Sequence, residues 1–430
     1  MKICVVALGK IGLPLAVQFA GMGHQVVGVD VNATLVATVN RGEEPFPGEF
    51  ELAERLSGVV ANGTLRATTY FADSVPQADV VVVVVPLFTD TTTGAPQFDW
   101  MDQATTEIAR NMSANTLVLY ETTLPVGTTR TRWKPMLETF SGMVEGRDFD
   151  VAFSPERVLT GRIFLDLRRY PKLVGGLSDH GTAKAIDFYR QVLEFDLRPD
   201  LVHDNGVWDM GSAEAAELAK LAETTYRDVN IGLANQFAQF AGEHGIDIHT
   251  VIDASNSQPF SHIHRPGIAV GGHCIPVYPW LYMWTDSNAT IVRAARAANL
   301  GMPAYAVDLL VEEFGPISGR RVVVLGAAYR GGVKETAFSG VFPVVEALTS
   351  AGAIALVHDP MFSDAELMVL GFVPYHLGEP ADAAIVQADH AMYGEIGATD
   401  LPGVVVLLDG RRISDPARWP GVRRRVLGVG

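Results

Sequence analysis

Two cysteines part company by their neighbours. Cys274 lies in Arg265–Trp280, RPGIAVGGHCIPVYPW, a stretch of loop formers. Adjacent glycines, Gly271 and Gly272, let a backbone approach a ligand closely. A thiol on such a rigid loop is a candidate nucleophile, provided positive charge favours its thiolate. Cys4, inside the apolar run KICVVAL, reads as a small core residue. A second constellation opens the chain. Gly9-Lys10-Ile11-Gly12 follows that run and precedes apolar residues at helical spacing; the next strand-like run, Gln25–Val29, ends at Asp30. Backbone N–H groups at the helix start would cradle a pyrophosphate. Asp30 would accept from a ribose diol and repel a 2′-phosphate, which favours NAD over NADP. The usual first glycine of this fingerprint is Ala7, whose methyl group fits if the local φ is negative.

The elements that must position these groups follow from periodicity. Lys2–Leu8, Asp79–Pro86 and Asn115–Glu121 read as buried parallel strands. Ligands of such sheets bind beyond the carboxyl ends of strands, which points to Val85, Pro86, Glu121, Thr122 and Thr123. A polar loop is expected over Thr89–Gln97, and ETTLPVGTT (Glu121–Thr129) doubles as a helix-capping loop. Lys172–Gly176, KLVGG, suggests another strand end. Ser212–His244 is one long helical pattern. Ala213, Ala216, Leu218, Leu221, Ala222, Tyr226, Val229, Leu233 and Phe237 recur at helical spacing, and core packing is expected to absorb most of them. Such a helix can also form a dimer interface. Lys220 and Asn230 interrupt it; by pattern alone Lys220 is a solvated charge. From Gly319 the pattern restarts: strands Arg321–Leu325 and Ile354–His358, the latter ending at Asp359, a helix Val341–Ala351, then strands Ala384–Val386 and Val404–Leu408.

The fold class is therefore α/β, with two doubly wound, Rossmann-like parallel-sheet domains joined by a central helical domain. The divisions fall at 1–204, 205–314 and 315–430. A length of 430 residues agrees with about three domains. The net charge of −16 argues against nucleic acid, whose phosphates would be repelled. The longest apolar run, Val80–Phe88, is too short for a bilayer. Two cysteines suit a reduced cytoplasm rather than a disulfide framework. No metal is called for.

Taken together, the glycine turn, ETTLPVGTT, SPERV, KLVGG, KLAETTYRDVN, PGIAVGGHCIP and AYRGGVKET resemble the nucleotide-sugar 6-dehydrogenases. That family includes the UDP-glucose, GDP-mannose and UDP-N-acetyl-hexosamine enzymes, and SPERV and TYRDVN are most similar to the last branch. The resemblance implies two oxidations of a sugar C6 hydroxyl by NAD, through a thiohemiacetal and thioester on Cys274, to a uronate. It implies Lys220 beside the developing oxyanion, which reverses the surface-charge reading. Glu156 and Thr123 resemble residues that position or activate water, and Arg330 one that reaches the cofactor. It adds Arg157, Val158, Arg227, Asn230, Arg265, Gly271 and Tyr278 on the sugar-nucleotide side, and a homodimer through the central helix.

Three positions depart from the family pattern. Thr224 stands for an asparagine, Tyr278 for an acid four residues after the cysteine, and Ala337 for an arginine. Thr224 is retained as a catalytic candidate, although its hydroxyl donates only one hydrogen bond. The first expectation is a UDP-N-acetyl-hexosamine as substrate. UDP-glucose, or a sugar-nucleotide binder without catalysis, are the alternatives.

Overall fold

The computed structural model describes residues 1–90 and 93–430, so the centre of the expected Thr89–Gln97 loop lies outside the described residues. The chain forms two compact units, Met1–Ala222 with Trp280–Thr285, and Glu223–Pro279 with Asp286–Gly430.

Among the described residues the first unit has ten strands: β1 (Lys2–Val6), β2 (Gln25–Val29), β3 (Leu65–Thr68), β4 (Val80–Val83), β5 (Phe88–Thr89), β6 (Pro96–Gln97), β7 (Leu117–Tyr120), β8 (Asp150–Phe153), β9 (Lys172–Gly176) and β10 (Val207–Asp209). Eight of them make one sheet in the order β10-β9-β8-β7-β4-β1-β2-β3. From β3 to β8 this is a doubly wound parallel sheet whose order reverses between β1 and β4. β9 pairs antiparallel with β8, and β10 continues beside it. Crossovers and flanks are α1 (Gly12–Gly21), α2 (Ala33–Asn40), α3 (Leu52–Ala61), α4 (Asp99–Asn111), α5 (Lys134–Ser141), α6 (Ile163–Arg169) and α7 (Asp179–Val192). β4, β7 and β8 are buried at every residue because helices cover both faces, which is why they read as continuous apolar runs. Cys4 is wholly buried against Ser74, and burial pushes its thiol up to about 12, so it is inert packing. β1 and β4 are shorter than Lys2–Leu8 and Asp79–Pro86, because the last residues of each run leave the ladder to line the loops at the sheet's carboxyl edge.

α8 (Ala213–Glu243) is a single 31-residue helix, followed by α9 (Ile248–Ser255), α10 (Tyr278–Thr285) and α11 (Thr290–Phe314). The second sheet is all parallel, in the order β12-β11-β13-β14-β15, from β11 (Arg321–Leu325), β12 (Ile354–His358), β13 (Ala383–Val386), β14 (Val406–Asp409) and β15 (Arg423–Val426). α12 (Val341–Ser350) and α13 (Asp364–Val369) accompany it. The strand period of two divides β11 cleanly: Val322 and Val324 enter one core, Val323 and Leu325 the other.

Core packing does not absorb most of the apolar residues of α8. Ala213, Ala216 and Leu221 are buried, but Leu218, Tyr226, Leu233, Phe237 and Phe240 are exposed. Periodicity locates an apolar face; it does not say what covers it.

Candidate functional site

The turn after β1 has the shape a dinucleotide needs, with one correction. Ala7 has φ 74°, so the condition under which its methyl group fits is not met. The chain is held there because the Ala7 amide donates to Val29 O at 2.8 Å. The following glycines divide the labour. A Cβ on Gly12 would lie 1.9 Å from the Ala7 carbonyl oxygen and 3.1 Å from Val84 Cγ2, so only glycine lets α1 start against the strand ends. A Cβ on Gly9 would meet nothing, which leaves its backbone open to a ligand. α1 carries no side-chain cap and no acid in its first turn. Its positive end, which begins at Ile11, therefore suits a phosphate. Asp30 accepts from the Leu8 amide at 2.8 Å and the Asn32 amide at 2.9 Å, which fixes its carboxylate at the mouth of the turn. These residues fit NAD.

Neighbouring strand ends are fastened to one another. Thr122 Oγ1 donates to Val85 O at 2.7 Å, and the Ser154 amide donates to Tyr120 O at 2.9 Å. Val85 and Thr123 are buried, whereas Pro86 is exposed. Glu121 and Glu156, from the ends of β7 and β8, both accept from Lys172 Nζ, the first at 2.8 Å. Tyr189 donates to the other oxygen of Glu121 at 2.6 Å. Lys172 and Tyr189 were not anticipated as site residues. The signal for Lys172 was a charge opening an otherwise apolar strand, KLVGG. Val158 packs against the core of this unit, and Arg157 donates to Pro171 O at 3.4 Å.

The start of α8 explains ETTLPVGTT. Glu217 accepts from the amides of Gly127 and Thr129 at 2.5 and 3.0 Å and from Thr129 Oγ1 at 2.6 Å. Its carboxylate caps the helical turn beginning there, although burial pushes Glu217 up to about 7 against those three donors. One turn on, Lys220 is 5% exposed, which removes the solvated-charge reading, and Thr224, on the same helix face, is wholly buried.

In the second unit, α8 positions the cysteine loop through buried polar groups. Asp228 pairs with Arg296 at 2.6 Å and accepts from Asn299 at 2.8 Å; Asn235 donates to Asn299 at 2.9 Å and accepts from the Gly267 amide at 2.9 Å. Burial raises Asp228 to about 6, opposed first by Arg296. Asn230 accepts from the His264 amide and donates to His262 O, so it clamps the loop ahead of Arg265. Arg265 is engaged by Asp253 and by His249 O. Arg227 is half-buried, with its Nε sequestered and unpartnered.

The glycines beside Cys274 serve a close approach within the protein. A Cβ on Gly271 would sit 2.5 Å from Tyr329 Cβ, and the Gly272 amide donates to Ala337 O at 2.8 Å. His273 Nε2 lies 3.2 Å from Glu335 Oε2. PGIAVGGHCIP and AYRGGVKET are thus one packed surface, and Ala337 contributes its carbonyl rather than a side chain. Cys274 is half-exposed on this surface, and its carbonyl accepts from the Val277 and Tyr278 amides at the start of α10. Arg330 is exposed, 3.3 Å from the Tyr329 hydroxyl.

Comparison with known proteins extends over the whole chain. Residues 1–193 match the NAD binding domain of the UDP-glucose/GDP-mannose dehydrogenase family, residues 214–300 its central domain and residues 323–416 its UDP binding domain. The UDP-N-acetyl-D-mannosamine dehydrogenase of Pyrococcus horikoshii is 34% identical over 425 residues, 96% of each chain. That of Methanococcus maripaludis is 30% identical over 444 residues, covering all of this chain and 97% of its own. The solved structure of UDP-D-ManNAc dehydrogenase from Pyrococcus horikoshii superposes with a TM-score of 0.87 at 32% identity, covering both chains entirely. A UDP-glucose dehydrogenase from Pyrobaculum islandicum gives 0.86 at 25% identity, covering 100% of this chain and 98% of its own. With the open glycine turn and the strand-end acid in place, the chain belongs to the UDP-glucose/GDP-mannose dehydrogenase family and is an NAD-dependent nucleotide-sugar dehydrogenase.

Proposed function

We propose that the chain oxidises the C6 hydroxyl of a UDP-N-acetyl-hexosamine, first of all UDP-N-acetyl-D-mannosamine, to the uronate in two steps. The observation that carries this reading is the similarity to the Pyrococcus horikoshii dehydrogenase along 96% of both chains. NAD, when bound, accepts a hydride in each oxidation. Gly9, Lys10, Ile11, Gly12, Asp30, Val85, Pro86 and Arg330 are assigned to hold it. The Cys274 thiolate adds to the C6 aldehyde: a C–S bond forms and the carbonyl oxygen becomes an oxyanion. Lys220 and Thr224 are assigned to that oxyanion, where positioned donors act most strongly. After the second oxidation, water assisted by Glu156 and Thr123 adds to the thioester carbon, and the C–S bond breaks to return the thiolate. Arg157, Val158, Arg227, Asn230, Arg265, Gly271 and Tyr278 are assigned to the sugar nucleotide.

Three domains share this work: 1–204 for the cofactor, 205–314 for catalysis and dimerisation, and 315–430 for the UDP-sugar, in the cytoplasm with both thiols reduced. Among the described residues no helix is long and apolar enough to cross a membrane. The exposed stripe of α8, Leu218, Tyr226, Leu233, Phe237 and Phe240, supports a homodimer through this helix. Phe237→Asp is expected to shift the protein from dimer to monomer in light scattering; an unchanged mass places the interface elsewhere.

The test is NADH released per sugar consumed across UDP-ManNAc, UDP-GlcNAc, UDP-glucose and GDP-mannose. Two per UDP-ManNAc is expected, and one would remove the thioester route. Preference for UDP-glucose would move the substrate assignment. Cys274→Ser is expected to stall turnover or to accumulate an ester, and undiminished uronate formation would remove the nucleophile.

A further inference from the structure

Glu156 belongs to a three-residue charge cluster. Lys172, the first residue of β9, bridges Glu156, in the loop after β8, and Glu121, at the end of β7. The side chains of Lys172, Glu121 and Glu156 are 5%, 0% and 10% exposed. Tyr189 on α7 closes the floor: its hydroxyl donates to Glu121 and its ring centroid lies 4.7 Å from Lys172 Nζ. Asp166 and Tyr170 line the same small cavity as Glu156 and Lys172, and Arg157 reaches the adjoining Pro171 carbonyl. With one ammonium and two ionised carboxylates the cluster carries a net charge of −1 almost out of water, an arrangement relieved by taking up one proton.

We propose that Glu121 and Lys172 are positioning residues for Glu156, and that the three act as a single proton acceptor in which Lys172 bridges both carboxylates before and after the proton arrives. This rests on the assignment of Glu156 to water activation. In that step an O–H bond of water breaks, its proton joins the cluster, and the water oxygen bonds to the substrate carbonyl carbon. The cluster passes from −1 to neutral, so no net charge is buried when the nucleophile is made. Burial pushes Glu121 up to about 7, partly offset by Lys172, so the deeper carboxylate exchanges its proton near neutrality. Burial also works against the charge on Lys172, but the two carboxylates outweigh it and raise its value.

The pH dependence of kcat with UDP-ManNAc and NAD tests this in the full-length protein. Glu121→Gln leaves the cluster neutral with Glu156 ionised, so the acid limb of the profile should move down by about one pH unit, with KM changed less than twofold. Lys172→Met removes the cation, so the limb should move up by a similar amount; Lys172→Arg should restore it. A merely structural network would lower kcat at every pH and leave the limb in place, and that result overturns the proposal. Glutamate labelled with 13C at Cδ gives a readout independent of turnover. Wild type should show the Glu121 carboxyl signal titrating near pH 7 with the Glu156 signal responding in the same step, and Glu121→Gln should remove that shared response. Independent titration of the two, or none, overturns the cluster. Inactivity of wild type towards all sugar nucleotides would instead count against the proposed function, and the carboxyl titration would still decide the cluster.

Discussion

The turns after β1 and β11 begin as near copies and end as opposites. Ala7 and Gly326 occupy the same position, and both donate at 2.8 Å to the strand alongside, to Val29 O and His358 O. The next amide, of Leu8 or Ala327, donates at 2.8 Å to the acid ending that strand, Asp30 or Asp359. Each acid also accepts at 2.9 Å from the amide two residues beyond it. Then they diverge. Asp359 takes a second turn amide, of Ala328 at 3.0 Å, and a buried histidine, His390, at 3.1 Å. The Gly332 amide donates to His390 Nδ1, which places the imidazole proton on Nε2, facing Asp359. Burial works against the charge of Asp359, yet these donors hold its carboxyl below the usual aspartate range. α1 begins at Gly12, six residues after β1, whereas α12 waits until Val341 and leaves the Tyr329–Ala337 loop between. One acid thus stays partly open to solvent and the other is consumed by the protein. The same device leaves an open carboxylate in one unit and serves construction in the other.

That contrast can be broken most decisively at the acids. Asp359→Ala strands two turn amides, that of Met361 and His390, and should cost about 3–5 kcal/mol of stability in urea unfolding. Asp30→Ala should instead raise the KM for NAD about tenfold to a hundredfold, with the smaller stability loss. Equal losses of NAD affinity in both variants would abolish the distinction. Acid sharpens it. A carboxyl lowered on folding adds stability above its unfolded value, about 3.9, and withdraws it as pH falls through the lower folded value. Asp359→Asn should therefore flatten the stability loss of the second unit below about pH 4, read by circular dichroism. The smallest effects lie at the paired turn residues. Gly326→Ala puts a Cβ 2.4 Å from Ala388 Cβ and should cost about 1–3 kcal/mol. Ala7→Gly relieves a left-handed alanine and should stabilise by about 0.5–1 kcal/mol in thermal unfolding. A destabilised Ala7→Gly would mean that the methyl group, not the turn, is what the site requires.

Strand patterns were legible because buried parallel strands leave little choice of residue: Arg321–Leu325 and Ile354–His358 are read to the residue. Asp30 was legible because a strand end and a glycine turn fix its place together. The left-handed φ of Ala7 was hidden because hydropathy carries no information about φ. The burial of Lys220 was hidden for a related reason, since helical spacing marks which residues share a face but not which face is covered. Lys172 was concealed by distance, because its partners lie on strand ends far away in sequence and only the sheet order makes them neighbours.

The antiparallel docking of β9 has a bearing on synthesis. As the chain leaves the ribosome, β8 is an unpaired edge until Lys172–Gly176 has emerged. Until then Glu121 and Glu156 also lack the ammonium that binds both. The strand that closes the edge carries the ammonium that pairs with both carboxylates, so both liabilities of the nascent chain are relieved in one event. A nascent chain stalled before Lys172 should remain sensitive to protease and be held by chaperones, and one extended past β10 should not.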